Sequence, residues 1–85
     1  MASNVKIISV NCRGLSDVKK RKDVFNYLRN LKANIYCLQD THLIESDTNK
    51  IRAEWGYDCY ICGNRTEARG VAILFNSNLR LKFQR

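Results

Sequence analysis

Ile35-Tyr36-Cys37-Leu38-Gln39-Asp40-Thr41-His42, residues 35–42, is an apolar run that stops at a polar cluster, as a buried strand does where its chain turns away. The same pattern occurs upstream, where Val5-Lys6-Ile7-Ile8-Ser9-Val10 is β-branched and gives way to the polar turn Asn11-Cys12-Arg13-Gly14. Gly14 is free to take positive φ there. Between the two runs, Val18, Phe25, Leu28 and Leu31 recur at helical spacing among Lys19, Lys20, Lys22 and Arg29, which predicts an amphipathic helix ending near 32–34. Ser16 is the expected N-cap, with Asp17 favourable at the positive end of the dipole. Strand, helix and strand in this order form a βαβ unit with parallel strands, and ligands of open α/β sheets gather at the carboxyl ends of such strands. Asn11 and Asp40 each end a strand, so the topology brings them to one rim of the sheet.

Working outward, Ser46 to Trp55 predicts a short helix with Ile51 and Trp55 on one face. Tyr57–Cys62, Val71–Phe75 and Leu79–Phe83 read as three further strands, with Asn76-Ser77-Asn78 as a hairpin loop. Residues 63–70, which carry Arg65, Glu67 and Arg69, are expected to be an exposed loop. The fold class is therefore α/β: a β-α-β unit, a short helix and a β-meander.

The chain has 85 residues, enough for one small domain. Hydrophobic residues make up 45% of it and no tract is of low complexity, which excludes a disordered tail. Fifteen Lys and Arg against eight Asp and Glu give a net charge of +7, which favours a polyanionic partner, nucleic acid being the commonest; the alternative is a basic domain without one. The run at residues 5–10 is interrupted by Lys6 and is too short for a signal peptide or a membrane span. A reducing compartment, nuclear or cytoplasmic, is expected, with Cys12, Cys37, Cys59 and Cys62 as thiols. Cys59 and Cys62 have the C-x-x-C spacing of a zinc site. They fall inside apolar runs rather than Gly-rich knuckles, so the four are read as small core hydrophobes.

Taken together and in order, ISVNCRGL (8–15), the amphipathic helix, IYCLQDTHL (35–43) and RGVAILFNSNL (69–79) resemble the start of the endonuclease domain of LINE-type (non-LTR) retrotransposons. Those domains belong to the exonuclease–endonuclease–phosphatase family, with apurinic endonucleases and pancreatic deoxyribonuclease as relatives. The resemblance runs over nearly the whole chain, from Val5 to Leu81, and the ordered set of motifs is more specific than any one of them. It implies that residues 1–85 are the N-terminal fragment of a single domain about three times longer, a DNase-like α/β sandwich left incomplete here. In such a sandwich a second sheet covers the first. Ile8, Val10 and Leu38 are therefore expected to face nothing, and the last strand to show an unpaired edge.

What the resemblance implies for the site falls on two positions. Asn11 matches the family's catalytic asparagine beside the metal and the scissile phosphate, and Asp40 matches the acidic residue that binds the divalent metal, magnesium or alternatively manganese. The family usually has Glu where this chain has Asp in DTHL (40–43). The side chain is shorter by about 1.5 Å, and magnesium needs oxygens at about 2.0–2.1 Å, so Asp40 either holds the ion directly or reaches it through a bridging water. Chemistry supports both roles: a hard cation neutralises charge developing on phosphoryl oxygens, and an amide donates to phosphate without adding negative charge. The alternative for Asn11 is an Asx turn to its own backbone, and for Asp40 a loop-capping carboxylate.

His42 is the sole histidine. An extended Asp40-x-His42 would present both side chains on one face, as a ligand pair or an acid–base dyad. The family's catalytic histidine comes near the far end of its domain, so His42 is read as a rim residue and Gln39 as a core-side hydrogen bonder. Arg13 and Lys19 are candidates for DNA phosphate contact, against the alternative of a solvated helix face. Lys19-Lys20-Arg21-Lys22 looks like a nuclear-import run but lies inside an ordered helix.

The expected function is that of a magnesium-dependent DNA-nicking phosphodiesterase, a hydrolase whose 3′-hydroxyl product primes reverse transcription. Its partners would be DNA, the remainder of the endonuclease domain and a reverse transcriptase. The family's general base and its Asp–His pair have no counterpart in these residues, so the chain is expected to be inactive alone. Two alternatives remain: a basic non-catalytic nucleic-acid-binding fragment or relic of a decayed element, and a phosphoester hydrolase of the same fold acting on another substrate.

Overall fold

The β-branched run that opens the chain forms a strand, β1 (Ile7–Asn11). In the computed structural model, which describes residues 4–64 and 67–76, it is followed by α1 (Val18–Leu31), β2 (Ile35–Gln39), a 3-10 turn (Glu45–Asp47), α2 (Thr48–Trp55), β3 (Cys59–Asn64) and β4 (Glu67–Phe75). The strands make one mixed sheet in the order β1-β2-β4-β3. β1 and β2 pair in parallel with Asn11 opposite Gln39, as the βαβ reading requires, and β4 runs antiparallel to both β2 and β3. Over the described residues the protein is thus a small α/β domain with a four-stranded mixed sheet and two helices.

Both helices pack on the same face of the sheet. Phe25 and Leu28 of α1, Ile51 and Trp55 of α2, and Tyr36, Leu38, Cys59, Ile61, Ala72 and Leu74 of the strands form the buried core. Trp55 sits at its centre, edge-on to Phe25 and Tyr36 with ring centroids 5.4 and 5.5 Å away, and its indole N–H donates to the Phe75 carbonyl at 2.6 Å. Arg29 of α1 donates to the last carbonyls of α2, Glu54 and Trp55, at 3.1 and 2.9 Å, and its guanidinium lies 4.9 Å from the Trp55 ring. One side chain therefore caps the neighbouring helix and covers its largest core residue.

Several expectations are corrected. Asp17, not Ser16, is the N-cap of α1, its carboxylate accepting from Lys20 N–H at 2.9 Å. Val18 stays 63% exposed, and Arg21 takes its place in the buried stripe with Phe25 and Leu28. Arg21 can be only 1% exposed because each of its three nitrogens donates to oxygen: Glu54 bidentately at 2.7 and 2.8 Å, and the carbonyls of Leu15 and Ser16 at 3.0 and 3.1 Å. The basic run 19–22 is therefore split by a core residue.

Residues 63–64 and 67–70 are strand rather than loop, because β3 and β4 extend until Asn64 pairs with Glu67; Arg65 of the expected loop lies outside the described residues. Nor is it Ile8, Val10 and Leu38 that lie bare. Leu38 is fully buried, and Ile8 and Val10 pack against the core under the helices. The open face is the opposite one, where Ile7, Val71, Ile73 and Tyr60 are 59, 50, 37 and 68% exposed beside the partly covered Ile35, Cys37 and Phe75. The expected strand Leu79–Phe83 and Ser77-Asn78 of its hairpin loop lie outside the described residues.

The cysteines divide between the faces. Cys12 and Cys59 are buried, Cys37 is half-buried and Cys62 is exposed, so Cys62 is not a core residue. Three residues apart on one strand, Cys59 and Cys62 leave on opposite faces, which separates the C-x-x-C pair. No helix among the described residues is long and apolar enough to cross a membrane.

Candidate functional site

The parallel register places Asn11 and Gln39 side by side, and the two chains stay together as they leave the sheet. Cys12 N–H donates to Gln39 O at 2.8 Å, Gly14 N–H to Asp40 O at 2.7 Å and Leu15 N–H to Thr41 O at 2.7 Å. Asn11 and Asp40 are thereby brought to one rim. They line an open pocket of about 450 Å³ whose other walls are Gln39, Arg69, Gly70 and Val71.

The backbone here is unusual. Arg13, Asp40 and His42 are non-glycine residues with φ of 52, 56 and 60°. Each left-handed position costs about 1–2 kcal/mol, and such costs collect where surrounding structure holds a particular geometry in place. The holding contacts are visible. Thr41 is wholly buried, donating its N–H to Gly70 O at 3.0 Å, while its hydroxyl accepts from Leu43 N–H at 3.2 Å. His42 lies against Gly14, where an added Cβ would stand 3.1 Å from Nδ1.

Asp40 is joined to His42 through Oδ1 and Nε2 at 2.9 Å, although the segment is not extended. The pair comes from two left-handed residues rather than strand alternation, and both side chains remain more than a third exposed. Asn11 does form the Asx turn: its Oδ1 accepts from Arg13 N–H at 3.2 Å. That bond orients the amide and leaves its NH₂ group as the available donor.

Gln39 is corrected. It lies on the open face and donates from Nε2 to Ser9 Oγ at 2.9 Å, lining the pocket instead of reaching into the core. Arg13 is exposed beside Asn11, its carbonyl accepting from Lys20 Nζ at 2.9 Å. Lys19 is exposed in the first turn of α1, and neither Arg13 nor Lys19 lines the pocket. Burial pushes the Cys12 thiol above its usual range, with Lys20 opposing and Asp40 adding to the shift, so behind the rim it is a neutral thiol.

Arg69 is the pocket residue that sequence reasoning missed. Its signal was available in Arg69-Gly70-Val71, since a glycine within an otherwise apolar run marks a close backbone approach. Among the described residues no group of three or more His, Cys, Asp or Glu side chains could hold a metal ion by itself. The chain matches no protein-family model.

Proposed function

We propose that the chain is the N-terminal portion of a metal-dependent phosphodiesterase of the exonuclease–endonuclease–phosphatase type, a DNase-like sandwich that nicks DNA for a retrotransposon. The observation that carries the reading is the convergence of Asn11 and Asp40, from the ends of two parallel strands, on one open polar pocket. Open α/β sheets bind ligands at this place. The bare apolar face of the sheet suits a fold in which a second sheet packs there.

The donor set fits a magnesium ion held jointly with substrate. Magnesium is commonly bound by one or two carboxylates, several waters and phosphate oxygens. Asp40 supplies one carboxylate, of which Oδ1 is engaged by His42 and Oδ2 is left to face a cation or its water. Such an ion would neutralise charge on the phosphoryl oxygens. Asn11 then donates its NH₂ group to the phosphate, adding no negative charge, while Arg13 and Lys19 offer charge to flanking phosphates.

The test is a chimera that joins this chain to the remainder of an active relative. Asp40→Ala is expected to abolish magnesium-dependent nicking of supercoiled DNA, and Asp40→Glu to raise activity or lower the magnesium requirement. Asn11→Ala is expected to impair turnover less completely, since a hydrogen bond to a charged group contributes about 1.5–3 kcal/mol. Full activity with Ala at position 40 would remove the metal assignment.

A further inference from the structure

Five of the six residues that line the pocket fall on positions already weighed for chemistry or packing; Arg69 does not. It stands two residues before Val71 on β4, so strand alternation sends both side chains to the open face, where Val71 is registered against Gln39. Gly70 between them turns to the buried loop. Its φ is 151°, and an added Cβ would lie 2.9 Å from both the Leu43 carbonyl oxygen and Thr41 Oγ1. Only glycine lets β4 approach this closely, and the Thr41 N–H bond to Gly70 O at 3.0 Å pins it there. The strand that carries Arg69 is thus fastened to the segment that carries Asp40.

We propose that Arg69 is an anion-binding residue of this pocket, gripping a phosphodiester together with the Asn11 amide. The inference rests on the reading of the pocket as a phosphodiester site and names a group that reading did not include. The lining joins one carboxylate, Asp40, to two amides, Asn11 and Gln39, and one guanidinium, Arg69. With Asp40 as its sole formal charge the pocket would repel a phosphate; Arg69 cancels that charge and turns the field attractive once a cation joins Asp40. A guanidinium also matches two phosphate oxygens at once, which a point charge does not. The other amide is partly committed, because one of the two N–H donors of Gln39 Nε2 goes to Ser9 Oγ. Arg69 and Asn11 are therefore the main donors that a bound phosphate meets.

The experiment is a nuclear magnetic resonance titration of the full chain with the dinucleotide thymidylyl-thymidine, at low salt with magnesium chloride present, and thymidine as the neutral control. The dinucleotide is expected to shift the Asn11 side-chain amide and the Arg69 Nε–H resonance, and thymidine to shift neither. Arg69→Gln should weaken binding about tenfold or more, and Arg69→Lys by less. Arg52→Gln removes the same charge from α2, on the far side of the sheet, and should cost about twofold at most. Unchanged backbone amide spectra verify that each variant is folded. If Arg69→Gln weakens binding no more than Arg52→Gln while Asn11 still shifts, the role of Arg69 is overturned and the pocket stands. If the dinucleotide moves neither Asn11 nor Asp40, Arg69 and the phosphodiester reading fall together.

Discussion

Arg21 and Glu54 show how a single ion pair can join two helices. The carboxylate reaches a guanidinium that is 1% exposed, and its own side chain keeps 33% exposure. Glu54→Ala leaves Arg21 with only carbonyl partners and is expected to lower stability by about 2–3 kcal/mol, water at the open side limiting the loss. The Arg21 hydrogen bond holds the Glu54 carboxyl below its usual range, against the opposing effect of burial. A depressed folded pKa stabilises above the unfolded value, about 4.3, and that contribution is lost as pH falls through the folded value. Thermal melts should therefore separate wild type from Glu54→Ala fully at neutral pH and converge in acid; a gap that stays constant to low pH would contradict the pair. Asn11 and Asp40 were legible in the sequence because parallel strands must end together. Arg21 was not, because a charge between lysines reads as solvated. Gln39 was not, because β2 is apolar on both faces (Ile35 and Cys37 on one, Tyr36 and Leu38 on the other) and nothing in it marks the core side.

The βαβ unit was readable for a related reason: a β-branched run, a helical stripe and a second apolar run each carry their own period. The β3–β4 hairpin was not, since its glycines and charges imitate a loop. Gly63 and Gly70 are there for closeness. An added Cβ at Gly63 would overlap the Leu43 carbonyl oxygen, which is backbone and cannot swing aside, at the point where the register of β3 shifts between Cys62 and Asn64. Gly63→Ala is expected to cost about 2–3 kcal/mol through forced backbone movement. Gly56→Ala provides the contrast. Gly56 has φ 99° and nothing within 4 Å of an added Cβ, so only the left-handed penalty of about 1–2 kcal/mol applies. Denaturant midpoints of the two variants should rank in that order, and equal midpoints would mean that the segment around Leu43 yields.

The whole molecule has two unlike sides. One is closed by α1 and α2; the other is a bare sheet, polar toward Asn11, Gln39 and Arg69 and apolar toward Ile7, Ile73 and Tyr60. With a charge of +7, the chain is expected to associate with duplex DNA weakly and without sequence preference, and the affinity should fall steeply as salt is added. Salt-insensitive binding, or none at low ionic strength, would remove nucleic acid as partner. The apolar half of the bare face should bind a hydrophobic dye while the far-UV spectrum stays native.

The position of the sole tryptophan has an optical consequence. Trp55 ends α2, touches α1 through Phe25 and Arg29, and is hydrogen-bonded to the last residue of β4. Its fluorescence therefore reports the docking of both helices on the sheet at once. Emission should be blue-shifted in the native chain and move red in a single step on unfolding. Because the indole lies beneath the helices, ligands bound at the opposite face should leave its spectrum unchanged, so folding and binding can be followed in one cuvette without interference.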